Sequence, residues 1–312
     1  MRINLRAPLS VAAIVPVFNR AAVVVEALAS IAQQTRPPCR LIVVDDGSSD
    51  GTADHVQHWL DSEARPFSAT LIRQRNGGAA AARNRGANEA TGCELLAFLD
   101  SDDLWPVDYL QRMTATLEHS PEAVATSCDR LDVDSRNGHK RRRDLANLHG
   151  WSAETMLMGG APGVPNTLIR RAAFDRIGGF AALPCYEDYH LMLRLSLLGA
   201  WRHTPRDPVV VRRNLHNQRQ NTEPPLSKKY DDRSLIAARA IDRFVHEEGG
   251  AQAIPEAMWR KRLAELWCRA GVDLLRLGRR DEAGDCFRRV LRLRPFHMRA
   301  WWHSLFTPSA AT

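Results

Sequence analysis

Residues 95–103 read LLAFLDSDD. Five consecutive apolar residues fit a strand buried on both faces, and the run stops abruptly in Asp100, Ser101, Asp102 and Asp103. Working back from there, the chain alternates strand-like and helix-like segments. VAAIVPVF (11–18) reads as a buried strand, and Val24, Leu28 and Ile31 then fall on one helical face. RLIVVD (40–45) is a second strand, closed by DGSSDGT, whose Ser, Asp and Gly suit a turn and a helix cap. Ala53, Val56 and Leu60 make the next helical stripe, ATLIR (69–73) a third strand, and 78–90 an Ala-rich helix. Pro106 opens a further helix that turns Leu110, Met113 and Leu117 inward. Repeated βα units predict an α/β fold, a mostly parallel sheet with helices on both faces. Ligands of such sheets bind beyond the carboxyl ends of the strands, where Asp45-Asp46 and Asp100–Asp103 both fall.

After residue 130 the pattern loosens. Residues 130–150 are polar and basic and predict a hairpin or an exposed loop; NTLIR (166–170) reads as a short strand, followed by a Gly-Gly turn and a helix from about Glu187. Four prolines punctuate 201–230, and from about 232 onward the pattern is helical. Residues 264–301 resemble one tetratricopeptide-like hairpin, a unit that normally needs neighbours and is expected to pack on the main domain. The expected division is 1–230 and 231–312.

The 312 residues carry a net charge of +7, with 44% hydrophobic and 25% charged residues, which excludes a disordered or disulfide-scaffold chain. Six scattered cysteines form no C-x-x-C pair, so a zinc site is unsupported. No apolar run reaches the roughly 18 residues of a membrane span. The apolar N-terminal stretch fits a strand better than a signal peptide because Pro16 and Asn19 interrupt it, so a cytoplasmic location is expected. The positive excess concentrates at 261–300, with 11 Lys/Arg against 5 Asp/Glu, and in Lys140–Arg143. A solvated Arg-rich surface is the plain reading; peripheral contact with the inner face of an anionic membrane is the sharper one. Aromatic residues do not interleave with the basic runs, which argues against nucleic acid.

VAAIVPVFN (11–19), VVDDGSSDGT (43–52), NGGAAAARNRGANEATG (76–92) and LLAFLDSDD, in this order and spacing, resemble family 2 of the glycosyltransferases; YEDYHLMLRLSLLG (186–199) stands where that family carries its Glu-Asp motif. The resemblance covers roughly 10–220 and implies a GT-A fold and inverting transfer of a sugar from a nucleoside-diphosphate donor, UDP being the commonest, to an acceptor hydroxyl of a saccharide or lipid-linked chain in cell-surface synthesis. It implies Asp102 as ligand of Mg2+ or Mn2+, with Asp100 near the sugar and ribose. Pro16, Asp45, Asp46 and Arg83 would surround the nucleoside, with Asp46 the base contact, and His216 would lie near the diphosphate. Asp188 would be the catalytic base, with Glu187 its competitor. The residues alone also allow simpler roles: a solvated D-x-D turn, an Asx-turn or cap from Asp46, Ser48 and Ser49, and acids capping the helix at Glu187. A nucleotidyltransferase lacks its Gly/Lys phosphate loop here, since neither a P-loop nor G-x-G-x-x-G occurs. A non-catalytic nucleotide-sugar-binding or scaffold protein would not need the acids.

Overall fold

The computed structural model describes residues 8–62, 64–150, 152–215 and 230–304. Its centre is β1 (Val11–Val17), every residue of which is buried. It pairs in parallel with β2 (Arg40–Asp45) on one side and with β4 (Leu95–Phe98) on the other. β3 (Ser68–Arg73) extends the sheet beyond β2. Pro16 sits opposite Val44 but beyond the last β1–β4 partners, Ile14 and Phe98, so a residue without an N–H is tolerated in a central strand.

The full sheet has seven strands in the order β3-β2-β1-β4-β8-β5-β9, with β5 at Ala123–Ser127, β8 at Thr167–Arg170 and β9 at Ala200–His203. Only β8 runs antiparallel to its neighbours. The carboxyl ends of the other six therefore share one edge, which gathers Asp45, Asp100, Asp129 and His203. A second sheet, β10-β6-β7, stands above it: β6 (Arg130–Asp134) and β7 (Lys140–Arg143) form a hairpin, and β10 (Val209–Arg213) runs parallel to β6. The hairpin confirms the sequence expectation for 130–150. β5, β9 and β10 are strands that the polar and Pro-punctuated sequence around them does not announce.

β1 sorts its side chains to two faces by simple alternation. Ala13, Val15 and Val17 pack with α1 (Val24–Ala32), α2 (Thr52–Ser62) and α4 (Tyr109–Glu118). Ala12 and Ile14 pack with α3 (Ala79–Glu89). Three further helices, α5 (Ala153–Thr155), α6 (Arg171–Arg176) and α7 (Glu187–Ser196), follow the second half of the sheet. After the undescribed stretch come α8 (Arg233–His246), α9 (Gly250–Ala253), α10 (Glu256–Arg276), α11 (Arg280–Leu293) and α12 (Met298–Ser304).

The C-terminal helices share the α3-side core rather than forming their own: Ile241, Phe244, Leu263 and Phe287 belong to the same apolar cluster as Ile14 and Leu191. Polar contacts reinforce the junction, since Glu248 lies 2.7 Å from His190 of α7 and 3.0 Å from Arg243 of α8. In the tetratricopeptide-like pair α10–α11, Gly271 lets the Phe287 ring approach so closely that a Cβ would lie 2.8 Å from it.

α3 approaches β1 equally closely at Gly86, where a Cβ would fall 2.4 Å from Ile14 Cγ2. Ile14 is fully buried and stiff at χ1. Gly86→Ala gains about 1 kcal/mol of helix propensity but incurs about 1–3 kcal/mol of overpacking. We expect net destabilisation, read as a lower urea midpoint at unchanged slope, and a reversal of sign when Ile14→Ala is already in place. A more stable single variant would show that the approach is not tight.

Candidate active site

Asp46 leaves the end of β2 and spends its carboxylate on a neighbouring loop. One oxygen accepts from Gly77 N (2.8 Å) and Gln74 Nε2 (2.8 Å), the other from Gly78 N (2.7 Å). Gly78, at φ +86°, immediately precedes α3, so Asp46 fixes the entry to that helix. The Asx-type turn that the sequence places on Asp46 belongs to Asp45, whose Oδ1 accepts from Ser48 N at 3.2 Å. The other Asp45 oxygen accepts no hydrogen bond among the described residues. On the rim, Asn19 (φ +51°) ties the loops after β1 and β2 together: its N–H donates to Ser48 Oγ (2.9 Å) and its Oδ1 accepts from Ser49 N (2.9 Å).

Arg83, 5% exposed, projects from the second turn of α3 between two carboxylates. It donates to Asp100 Oδ1 at 2.7 Å and to Glu187 Oε1 at 2.8 Å. Burial works against its charge, but Asp100 and Glu187 more than offset it and raise the guanidinium pKa above its ordinary value. The Phe180 ring closes that side, 5.4 Å from the guanidinium carbon. One cation thereby joins the end of β4 to the start of α7, two segments about ninety residues apart.

This settles how two adjacent acids differ. Glu187 is buried and committed to Arg83. Asp188 uses one oxygen on its neighbour's amide, Tyr189 N, at 2.7 Å; the other accepts nothing among the described residues. Tyr186, left-handed at φ +64°, sets the angle at which the two side chains leave the helix start. Burial, then the adjacent Glu187 charge, push the Asp188 carboxyl up to about 6, with Arg83 opposing.

The acids after β4 divide in the same way. Asp103 is buried and accepts from Arg212 N at 2.9 Å, anchoring β10. The Arg212 guanidinium also donates to the Asp102 carbonyl and to Glu26. The Asp102 carboxylate stays partly open, 28% exposed, with Arg20 Nε 3.7 Å away. Burial, then Asp100, raise its pKa, while Arg20 opposes. The structure thus brings Asp100, Asp102, Arg83, Glu187 and Asp188 along one edge, near Pro16, Asp45 and Asp46. His216 lies outside the described residues.

Sequence reasoning passed over a second grouping on that edge. Asp129, Asp144 and His203 bring their ligand atoms within 4.8 Å of one another, a spacing open to a metal ion. Asp129 already accepts from His203 Nε2 (2.8 Å), Arg142 Nη2 (2.8 Å) and Leu145 N (3.1 Å), so a guanidinium occupies much of that carboxylate. The clue was present in the polar residues just past two strands, but those strands were not legible.

Replacing Arg83 by Met should leave Glu187 buried without its partner and the Asp100 carboxylate with no hydrogen bond among the described residues. The cost expected for breaking a buried pair is about 3–5 kcal/mol. Equilibrium denaturation checks this; a loss below about 1 kcal/mol would show that the bridge is dispensable to the fold.

The sequence profile of Glycosyl transferase family 2 matches residues 12–178. A PGL/p-HBAD biosynthesis glycosyltransferase of Mycobacterium tuberculosis is 32% identical over 213 residues, 65% of this chain and 72% of that protein. An uncharacterised glycosyltransferase of Nostoc is 30% identical over 148 residues, and the match spans 45% of each protein. Among solved structures, Staphylococcus aureus TarS with UDP-GlcNAc superposes with a TM-score of 0.69 at 19% identity, over 96% of this chain and 89% of that one. The mannosyltransferase PcManGT of Pyrobaculum calidifontis, with GDP-Man and Mn2+, gives 0.57 at 21% identity, over 95% and 83%. These two likenesses carry the GT-A fold. The profile spans more than half of the chain, with the acidic strand ends inside it, and the chain belongs to glycosyltransferase family 2.

Proposed function

We propose that the chain moves a sugar, with inversion, from a nucleoside-diphosphate donor to an acceptor hydroxyl. The observation that carries this reading is the Arg83 bridge. By holding Glu187 and Asp100 on either side of one guanidinium, it leaves Asp188 as the carboxylate free to face an acceptor and the edge at Asp45, Asp100 and Asp102 free to face a donor. A UDP-sugar is the donor we favour, in line with UDP-GlcNAc bound to TarS, whereas PcManGT is in complex with GDP-Man. Asp45, with one carboxylate oxygen uncommitted, supports the base contact better than Asp46, whose oxygens hold the Gly77–Gly78 loop. Asp46 then acts by shaping that loop.

The donor set after β4 suits a hard divalent cation. Asp102 is partly open, Asp100 has one oxygen left over from Arg83, and the crowding of the two carboxylates favours a counter-charge. Mg2+ or Mn2+ held by Asp102 would supply charge neutralisation at the diphosphate. Inversion needs an acceptor deprotonated on the face away from the leaving group, and Asp188 takes that proton.

The acceptor we favour is a growing surface saccharide, free or lipid-linked. Among the described residues no helix is long and apolar enough to cross a membrane. The exposed Phe296 and Met298 beside Arg292, Arg294 and Arg299 support peripheral contact with an anionic bilayer.

Two measurements test this reading. Asp102→Asn should abolish the gain in UDP affinity on adding Mn2+ without unfolding the protein; equal affinity in wild type, variant and chelator would remove the metal from Asp102. Asp188→Asn should keep donor binding and lose transfer by roughly 10²–10⁴-fold. Since the raised pKa keeps Asp188 neutral below about 6, the wild-type rate should climb with pH through about 6 and level above it. Near wild-type transfer in the variant would move the base to another group.

A further inference from the structure

The β6–β7 hairpin and the segment Gly159–Pro162 enclose a cavity of about 320 Å³, within the range of small-molecule sites. Arg130, Arg141, Arg142 and Arg143 line one wall, and Gly159 and Gly160 face them. The arginines outnumber the carboxylates available to them. Asp132 alone serves Arg130 (3.5 Å), Arg143 (2.9 Å) and Arg213 (3.0 Å). Arg142 is used by Asp129, and Arg141 has no partner among the described residues. Arg130 is mostly buried, and its Nε finds no hydrogen-bond partner among the described residues. Burial holds its pKa below the ordinary value; Asp132 opposes this, while Arg143 and Arg213 add to it. The wall carries one acid, Asp144, which accepts from Ala146 N at 2.8 Å. Guanidinium forks in excess around a cavity match the oxygens of phosphate and carboxylate groups.

Asp188 does not line the cavity, but two of its walls are connected to the start of α7. Tyr189, next in the chain to Asp188, donates its hydroxyl to the carbonyls of Met156 (2.9 Å) and Leu157 (2.8 Å), and so holds the segment that leads into the glycine wall. The Asp188 charge is felt at Arg130.

We propose that this cavity is an acceptor subsite for an anionic saccharide, one whose repeat carries a phosphate or a carboxylate, gripped by Arg130, Arg141 and Arg143 beside Asp188. The proposal rests on the transferase reading with Asp188 as base. It accounts for a hairpin so rich in arginine that lines a cavity, and it narrows the substrate from any hydroxyl-bearing sugar to a charged one.

Calorimetric titration of the full chain tests it, with UDP plus Mn2+ measured as a separate arm. The probes are a glycerol-phosphate trimer, a galacturonate trimer, neutral maltotriose, and phosphatidylglycerol vesicles. We expect the charged trimers to bind and maltotriose not to; the tighter of the two charged trimers tells phosphate from carboxylate. Arg141→Ser, at an exposed residue with no partner to lose, should weaken the charged trimers about tenfold, the scale of one hydrogen bond to a charged group. Arg141→Lys should recover part of that loss, and UDP affinity should not change. Equal binding of maltotriose, or charged trimers indifferent to Arg141→Ser, overturns the proposal. So does Arg141-dependent binding of vesicles without binding of the trimers, which would make the patch a membrane contact. Charged-trimer binding that depends on Arg141, in a chain that fails to bind UDP, would uphold the subsite and defeat the donor reading instead.

Discussion

A single guanidinium withdrawn from water organises the acidic edge of the sheet. An isolated charge in that position would be untenable, and the solution adopted is two carboxylates from distant parts of the chain, one following β4 and one opening α7. The strand end cannot move relative to the helix start without stranding a charge. Desolvation thus converts an electrostatic liability into a distance constraint between the end of β4 and the start of α7. Asp188 inherits its place from this arrangement: its neighbour is consumed by the bridge, while the same burial lifts its own pKa toward neutrality. Environment, rather than residue type, separates the two acids.

Much of the fold could be read from the sequence because its first half is consistent at every level. β1 is apolar throughout, α1 places Val24, Leu28 and Ile31 on one face, and the acids begin where apolar runs end. The second half is harder to read for a physical reason. β9 and β10 pair Trp201 and Val209 with residues far away in sequence, and their alternation is masked by the arginines and prolines around them. β8 is legible as a strand, but nothing local reveals that it inserts antiparallel between β4 and β5.

At the site, residue types were legible and their division of labour was not. The pair Asp45-Asp46 looks symmetrical in sequence. Only the approach of the Gly77–Gly78 amides shows that Asp46 is occupied and Asp45 half-free. Glu187 and Asp188 repeat the lesson. Likewise the break at 230 is plain in composition, yet Ile241 and Phe244 lie in the same core as Ile14, so the later helices serve the sheet as a wall. The arginines of the hairpin could be counted from sequence, but the cavity they line depends on glycine backbone some twenty residues further on.

The inserted strand has a consequence for how the molecule is made. β4 and β5 are not neighbours in the finished sheet, because the place between them belongs to β8, about forty residues downstream of β5. Until β8 emerges the nascent chain presents two open sheet edges, the condition that invites wrong pairing. The basic strand Lys140–Arg143 lies within that interval, and charged residues of this kind are among the features that oppose edge-to-edge pairing. The two halves of the sheet are thus joined through a four-residue segment, Thr167–Arg170, and β9, later still in the chain, extends the sheet beyond β5.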